Sequence, residues 1–230
     1  MPPLARERRE EQMDDPALDR ATYAAVLEDL AKVNRWTMAA RPTLSFLRRV
    51  VGGAQSFRLL DVGFGHGDML RLIARWAERR GIRAELVGVD LNPRSAALAS
   101  GATPKELPIE FVTGDYHDLP GEFDVIVSSL VAHHMTGTQL REFIRFMDAR
   151  ATRGWLINDL HRHRIAYFGY PLLARTIGVH RIVREDGTLS IARSFRAAEW
   201  RDILSDAGLS DGAAQVVRRF PYRLCVERRF

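Results

Sequence analysis

The chain has 230 residues, 46% of them apolar and 27% charged, with a formal net charge of +5 and a pI near 9.8. That length suits one α/β domain with a small appendage, and the balance excludes a fibrous chain or one too polar to bury a core. Lysine occurs only at Lys32 and Lys105, so the positive charge is nearly all arginine, scattered beside acids; this reads as a solvated surface rather than a nucleic-acid footprint.

Residues 1–15 carry both charge signs and no apolar signal segment, and are expected to be a polar tail, disordered when free. A helix follows from Pro16, with Tyr23, Val26, Leu27, Leu30 and Val33 on one face, and a second short helix follows Pro42. Together, 16–52 form an N-terminal helical cover. Asn34-Arg35-Trp36 marks the junction of the two helices, either as a helix end with a packed tryptophan or as a ligand-facing segment. The main domain, 53–230, alternates strands and helices. Strands are expected over 57–62, 84–89, 109–112, 123–127 and 154–157, with helices over 68–80, after Asn92-Pro93, and over 138–149. Residues 161–177 look helical, 178–194 basic and irregular with a turn at Asp186-Gly187, and 161–194 together are expected as an insertion over the site. A helix over 197–207 precedes two strands, 214–220 and 222–226, with Pro221 at their joint. Cys225 lies in the last strand; a single cysteine excludes an internal disulfide and fits a reducing, cytoplasmic setting. No run approaches the length of a membrane span.

The alternation predicts a parallel sheet covered by helices on both faces, with ligands beyond the carboxyl ends of its strands. The first strand runs into Asp61-Val62-Gly63-Phe64-Gly65-His66-Gly67-Asp68, an acid followed by glycine at alternate positions and the start of a helix. Glycine tolerates positive φ and lets a ligand lie against bare backbone, while the helix N-terminus offers free N–H groups. This stretch resembles the first motif of the class I S-adenosylmethionine-dependent methyltransferases, in which the turn carries the methionine end of the cofactor and the acid holds its ammonium. The resemblance covers most of the chain from residue 16 onward. It implies a Rossmann-like, seven-stranded, mostly parallel sheet with an antiparallel last strand.

The resemblance also implies cofactor-binding roles for Asp61, Gly63, Gly65 and Gly67, for Asp90 on the ribose, and for Asp115 on the adenine amino group. Leu91 and Tyr116 would flank the adenine, and Ser129 leaves the fourth strand near the sulfonium. Any one of these aspartates is equally a helix cap or turn former. His134, in Val131-Ala132-His133-His134-Met135, matches a histidine of the ubiquinone/menaquinone-type branch, where it is catalytic or ties the loop to the sheet. Asn158-Asp159-Leu160-His161-Arg162-His163 resembles a signature of small bacterial methyltransferases of polyketide or isoprenoid products, with His161 as the preferred base and a capping role as the alternative. The fourth strand ends in serines, so no magnesium site is expected, and no zinc-ligand spacing is present. The expected activity is transfer of a methyl group from S-adenosylmethionine, leaving S-adenosylhomocysteine. The expected acceptor is a small molecule, by O-methylation of a phenolic, quinone or polyketide-like compound. An RNA acceptor, or a non-catalytic module that only binds S-adenosylmethionine, are the rival readings.

Overall fold

The computed structural model describes residues 5–230. Seven strands form one sheet: β1 (Ser56–Val62), β2 (Arg83–Asp90), β3 (Ile109–Thr113), β4 (Phe123–Ser129), β5 (Ala151–Leu160), β6 (Gln215–Arg219) and β7 (Arg223–Arg229). Their order is β3-β2-β1-β4-β5-β7-β6. The first five pair in parallel, and β7 runs antiparallel to both β5 and β6. The strand order reverses between β1 and β4, so the crevice beyond their carboxyl ends is where a ligand is expected.

The helices are α1 (Arg20–Trp36), α2 (Ala40–Val50), α3 (Asp68–Glu78), α4 (Pro93–Gly101), α5 (Gly137–Arg150), α6 (Arg164–Thr176), α7 (Arg181–Arg193) and α8 (Ala197–Asp206). Central strands are apolar at successive positions, Leu59-Leu60 and Val125-Ile126-Val127 being fully buried, because helices cover both faces. On one face Phe143, Trp155 and Trp200 anchor the packing of α5 and α8. On the other, Phe46, Leu70 and Trp76 bring in α2 and α3. A third cluster, with Val26, Ala174 and Val183, binds α1, α6 and α7 into a cover beside the sheet. Among the described residues no helix is long and apolar enough to cross a membrane.

Two sequence expectations need correction. Residues 5–15 do not behave as a free tail but form a docked strap; residues 1–4 lie outside the described residues. The charges of the strap find specific partners. Arg6 stacks over the Phe195 ring at 4.0 Å and donates to the Arg193 carbonyl at 2.7 Å. The N–H groups of Gln12 and Met13 donate to the Asp186 carboxylate, and Glu11 is buried. Asp186-Gly187 is likewise no turn: it lies inside α7. Asp186 is buried because it caps the strap, and a Cβ at Gly187 would stand 2.3 Å from the Tyr170 hydroxyl. Trp36, the packed-tryptophan candidate, is 66% exposed, as are Phe168 and Leu172 of α6. Pro221 does sit at the joint of the β6–β7 hairpin.

Candidate active site at the carboxyl ends of β1, β2, β4 and β5

The glycine turn is built by three residues at positive φ, Gly63 (78°), Gly65 (52°) and Gly67 (74°). They are glycine for different reasons. A Cβ at Gly63 would lie 2.3 Å from Val131 Cγ2, and one at Gly67 2.8 Å from the Phe111 ring. Those two allow the turn to press against the protein. Gly65 meets only Leu27 of α1, at 3.9 Å, so its face is open toward the crevice. The turn places the α3 N-terminus there as well, beneath α1.

Asp61 closes β1 and is 2% exposed, and its Oδ1 has no hydrogen-bond partner. Burial, with Asp68 and Asp90 nearby, pushes its carboxyl up to about 8. A buried carboxylate oxygen left unpaired is costly, and its natural complement is a cation brought by a ligand. Asp90 closes β2, with Oδ2 accepting from the Gly65 N–H and Oδ1 from the Asn92 N–H, both at 2.9 Å. One carboxylate therefore clamps the glycine turn to the β2 end. Burial raises its pKa and those two N–H bonds oppose the rise. Asp115 behaves as a turn former: its Oδ1 accepts from the His117 N–H at 2.9 Å, capping the short turn Tyr116–Asp118. Leu91 is 73% exposed and free to cover a ring. Tyr116 is not, since its ring packs among His117, Phe143 and Phe146 at centroid distances of 4.2–5.0 Å. The aromatic half of the expected sandwich is held by α5.

At the end of β4, Ser128 Oγ donates to the Val62 carbonyl, tying β4 to β1, whereas Ser129 Oγ is buried without a partner. Leu130 follows at φ 62°, a conformation unusual for a side-chain-bearing residue and common at functional turns. Next come the two histidines in the turn Ala132–His134. His133, not His134, ties this turn to the sheet. Its Nδ1 lies 2.7 Å from Asp159 Oδ1, and its backbone N–H donates to Asp159 Oδ2 at 2.9 Å. Glu11 of the strap reaches the other nitrogen, 3.5 Å from His133 Nε2. Burial opposes protonation of His133, but Asp159 and Glu11 outweigh it and hold the imidazole near 9. Burial likewise disfavours the Glu11 carboxylate, and His133, His134 and Ser190 override it, bringing Glu11 down to about 2. His134 is 28% exposed at its side chain, with Nδ1 3.0 Å from Asp14 Oδ2 and Nε2 3.7 Å from Glu11 Oε1.

His161 stands apart from this group. It sits just past β5, bridged to Phe195, with its N–H donating to the Tyr222 carbonyl and its ring 5.4 Å from that of His163. Burial and the positive surroundings of His163, Arg218, Arg196 and Arg162 lower it to about 4. It is neutral at pH 7 and a weak proton acceptor. The structure thus separates the two histidines that the sequence singled out. Sequence reasoning missed Glu11 and the His133–Asp159 pair. Residues 26 and 122 positions from His133 carry no local periodicity that would join them to it.

Comparison with known proteins agrees with this architecture. Residues 59–153 match the model of the Methyltransf_25 family, described as a methyltransferase domain. That match covers less than half of the chain. The matched residues include the glycine turn, Asp90, Asp115 and both histidines after β4. Ribosomal RNA small subunit methyltransferase C of Erwinia tasmaniensis is 25% identical over 144 residues, a stretch covering 61% of this chain but only 41% of that protein. Among solved structures, the plantazolicin methyltransferase BpumL in complex with SAH superposes with a TM-score of 0.65 at 13% identity, over 89% of this chain and 93% of that one. Magnesium protoporphyrin IX methyltransferase from Synechocystis, with bound SAH, gives 0.57 at 18% identity, over 93% and 88%. Human N-acetylserotonin methyltransferase in complex with SAM gives 0.63 at 16% identity, over 92% and 56%. At these identities the likeness is one of fold, and it extends beyond the matched domain to nearly the whole chain.

Proposed function

We propose that this methyltransferase domain transfers the methyl group of S-adenosylmethionine to a small-molecule acceptor, releasing S-adenosylhomocysteine. The observation that carries this reading is Asp61: a carboxylate oxygen buried without a partner beside an open glycine turn, complementary to an ammonium group. Gly65 would lie against the cofactor, Asp90 would accept from the ribose hydroxyls through its remaining lone pairs, and Leu91 would cover the adenine. Asp115 would accept from the adenine amino group while continuing to cap its turn. When bound, the cofactor supplies a methyl group activated by a sulfonium for in-line displacement. The task of the chain is then to hold the cofactor, exclude water with α1 and the strap, and present an acceptor at the β4–β5 ends.

A hydroxyl acceptor, phenolic, quinone or polyketide-like, fits a site that offers histidines and buried serines. The structural relatives include methyltransferases named for acceptors of small-molecule size, a porphyrin, a serotonin derivative and plantazolicin. We place the chain nearest the ubiquinone/menaquinone-type branch on the Val131–Met135 segment. His134 and His161 remain candidate bases; His134 faces the strap carboxylates, and His161 is held neutral at the β5 end.

Calorimetry with S-adenosylmethionine tests the cofactor half. Asp90→Ala is expected to weaken binding at least about tenfold, since it removes a charge-assisted acceptor and the clamp on Gly65. Unchanged affinity would refute the assignment. Mass spectrometry of products from a panel of phenols and quinols tests the acceptor half. An RNA acceptor is the second reading, supported by the ribosomal RNA methyltransferase relative and the pI near 9.8. It requires RNA binding that falls steeply with salt, and salt-insensitive or absent binding would dispose of it.

A further inference from the structure

Beside the crevice, the strap and the β4 turn bring three ligating side chains to one point. We propose that Glu11 Oε1, His133 Nε2 and His134 Nε2 bind one first-row divalent cation of the zinc class, which fastens residues 5–15 to the turn after β4. The three ligand atoms lie within 4.8 Å of one another, with Glu11 Oε1 3.5 Å from His133 Nε2 and 3.7 Å from His134 Nε2. Donors at about 2.0–2.1 Å from an ion stand roughly 3.0–3.4 Å apart. The two contacts of Glu11 therefore need to shorten by only a few tenths of an ångström. The two imidazole nitrogens, within 4.8 Å of each other, must draw together by a side-chain rotation.

The opposite ring nitrogens supply a second, independent observation. His133 Nδ1 is 2.7 Å from Asp159 Oδ1, and His134 Nδ1 is 3.0 Å from Asp14 Oδ2. A carboxylate on Nδ1 is the arrangement that fixes the tautomer of a metal-bound imidazole and directs the Nε2 lone pair at the ion. Tying the β4 turn to the sheet needs only the His133–Asp159 pair. It does not need a second histidine with its own carboxylate, turned onto the same Glu11 oxygen. Glu11 is itself held in place, accepting from Ser190 Oγ at 2.8 Å.

Glu11, Asp14 and Asp159 surround two imidazoles, and Glu11 and Asp159 are almost wholly inaccessible to solvent. The nearby guanidiniums of Arg6 and Arg193 donate to the backbone carbonyls of His133, His134 and Met135. Two imidazoles and one carboxylate select zinc, iron(II), cobalt or nickel over magnesium or calcium. Three protein donors leave a coordination position open, and the exposed side of His134 is where water reaches it.

The test uses tag-free full-length protein, stripped with a chelator and titrated with Co²⁺ and Zn²⁺, and it requires neither cofactor nor acceptor. One equivalent of Co²⁺ is expected to bind, with visible d–d absorption that Zn²⁺ abolishes. Asp14→Ala changes only an orienting carboxylate, partly exposed at 44%, and should weaken binding about 10- to 100-fold. Glu11→Gln and His134→Gln should remove the saturable site. Trypsin cleavage at Arg6, Arg8 and Arg9 should slow when Zn²⁺ is added to the wild type. Absence of saturable binding, or binding by Glu11→Gln and His134→Gln equal to the wild type, overturns the proposal. If those two variants fail to fold, equal affinity of wild type and Asp14→Ala overturns it instead.

Discussion

The two halves of the crevice are built on different physics. On the β1–β2 side, the geometry is backbone: a turn of glycines at positive φ, clamped by Asp90 through main-chain N–H groups, with one carboxylate, Asp61, left without a partner. On the β4–β5 side, the geometry is side chain against side chain. His133, His134, Glu11, Asp14 and Asp159 come from three separate segments, and nearly every polar atom has a partner. The first half is unsatisfied and waits for a ligand. In the second half the carboxylates and imidazoles already pair with one another and hold the strap down. A cation there would fasten contacts the chain makes by itself, and Ser129 Oγ is left without a partner. Deleting a carboxylate should therefore have opposite consequences in the two halves.

The sharpest break is Asp159→Ala. It leaves His133 buried with one partner removed and its backbone N–H unpaired, so the folded state should lose about 3–5 kcal/mol. For a chain of this length that is roughly 6–20 °C of melting temperature. A loss under about 1 kcal/mol would mean that the pair is incidental to the fold. Next in size is Gly63→Ala. The added Cβ meets Val131 at 2.3 Å on a backbone at φ 78°, and about 3 kcal/mol should be lost. Gly65→Ala, with nothing nearer than 3.9 Å, should cost about 1 kcal/mol of stability while impairing cofactor binding. Equal melting temperatures for the two variants would contradict the division of roles within the turn.

This contrast also explains what could be read from the sequence. The glycine turn and the strand-end positions of Asp61 and Asp90 are legible because they follow from local conformation. The alternation of strands and helices made the parallel sheet with helices on both faces legible for the same reason, though not its strand order. The strap and α7 depart from expectation because composition does not by itself set conformation. A polar, charged stretch is disordered only if its charges lack partners, and Arg6, Glu11 and Asp186 all have them. At the paired histidines the tie to the sheet falls to His133, and His134 keeps its candidacy as a base. Which of two adjacent histidines turns toward Asp159 is decided by the turn Ala132–His134, not by any pattern along the chain. At Tyr116 the sequence does not show that Phe143 and Phe146 compete for its ring.

Asp61→Asn addresses the unsatisfied half and should act in the opposite sense to Asp159→Ala. The folded carboxyl titrates near 8, against 3.8 for an ordinary aspartate. Between those two values the folded state keeps a proton that the unfolded chain releases, so wild-type stability should decline as pH rises from about 4 to 8. The variant has no such titration. Its melting temperature should gain on the wild type across that window, by the equivalent of about 2 kcal/mol at the alkaline end, while its affinity for S-adenosylmethionine falls. Calorimetry at pH 7 in buffers of different ionisation enthalpy should also show wild-type Asp61 releasing a proton as the ammonium docks. A flat difference between the two melting curves across pH would remove Asp61 as a strained, ligand-awaiting group.

The smallest effect is expected at His161, which belongs to neither half. Its folded pKa, about 4, lies below the ordinary histidine value of 6.5 because burial and its cationic neighbours disfavour the imidazolium. From pH 6.5 down to 4 the unfolded chain takes up a proton that the folded site refuses. The associated stability is complete above about 6.5 and is lost as the solution is acidified. His161→Gln removes the titration and should flatten that acid limb, by about 1 kcal/mol once solvent screening of this half-buried ring is allowed for. If His161 is instead the base for the acceptor, the same variant lowers kcat with the cofactor affinity intact, and the acid limb of the wild-type kcat profile falls near 4 rather than near neutrality. A normal kcat together with a flattened stability limb assigns the residue to the fold, leaving the chemistry to the side chains gathered at the end of β4.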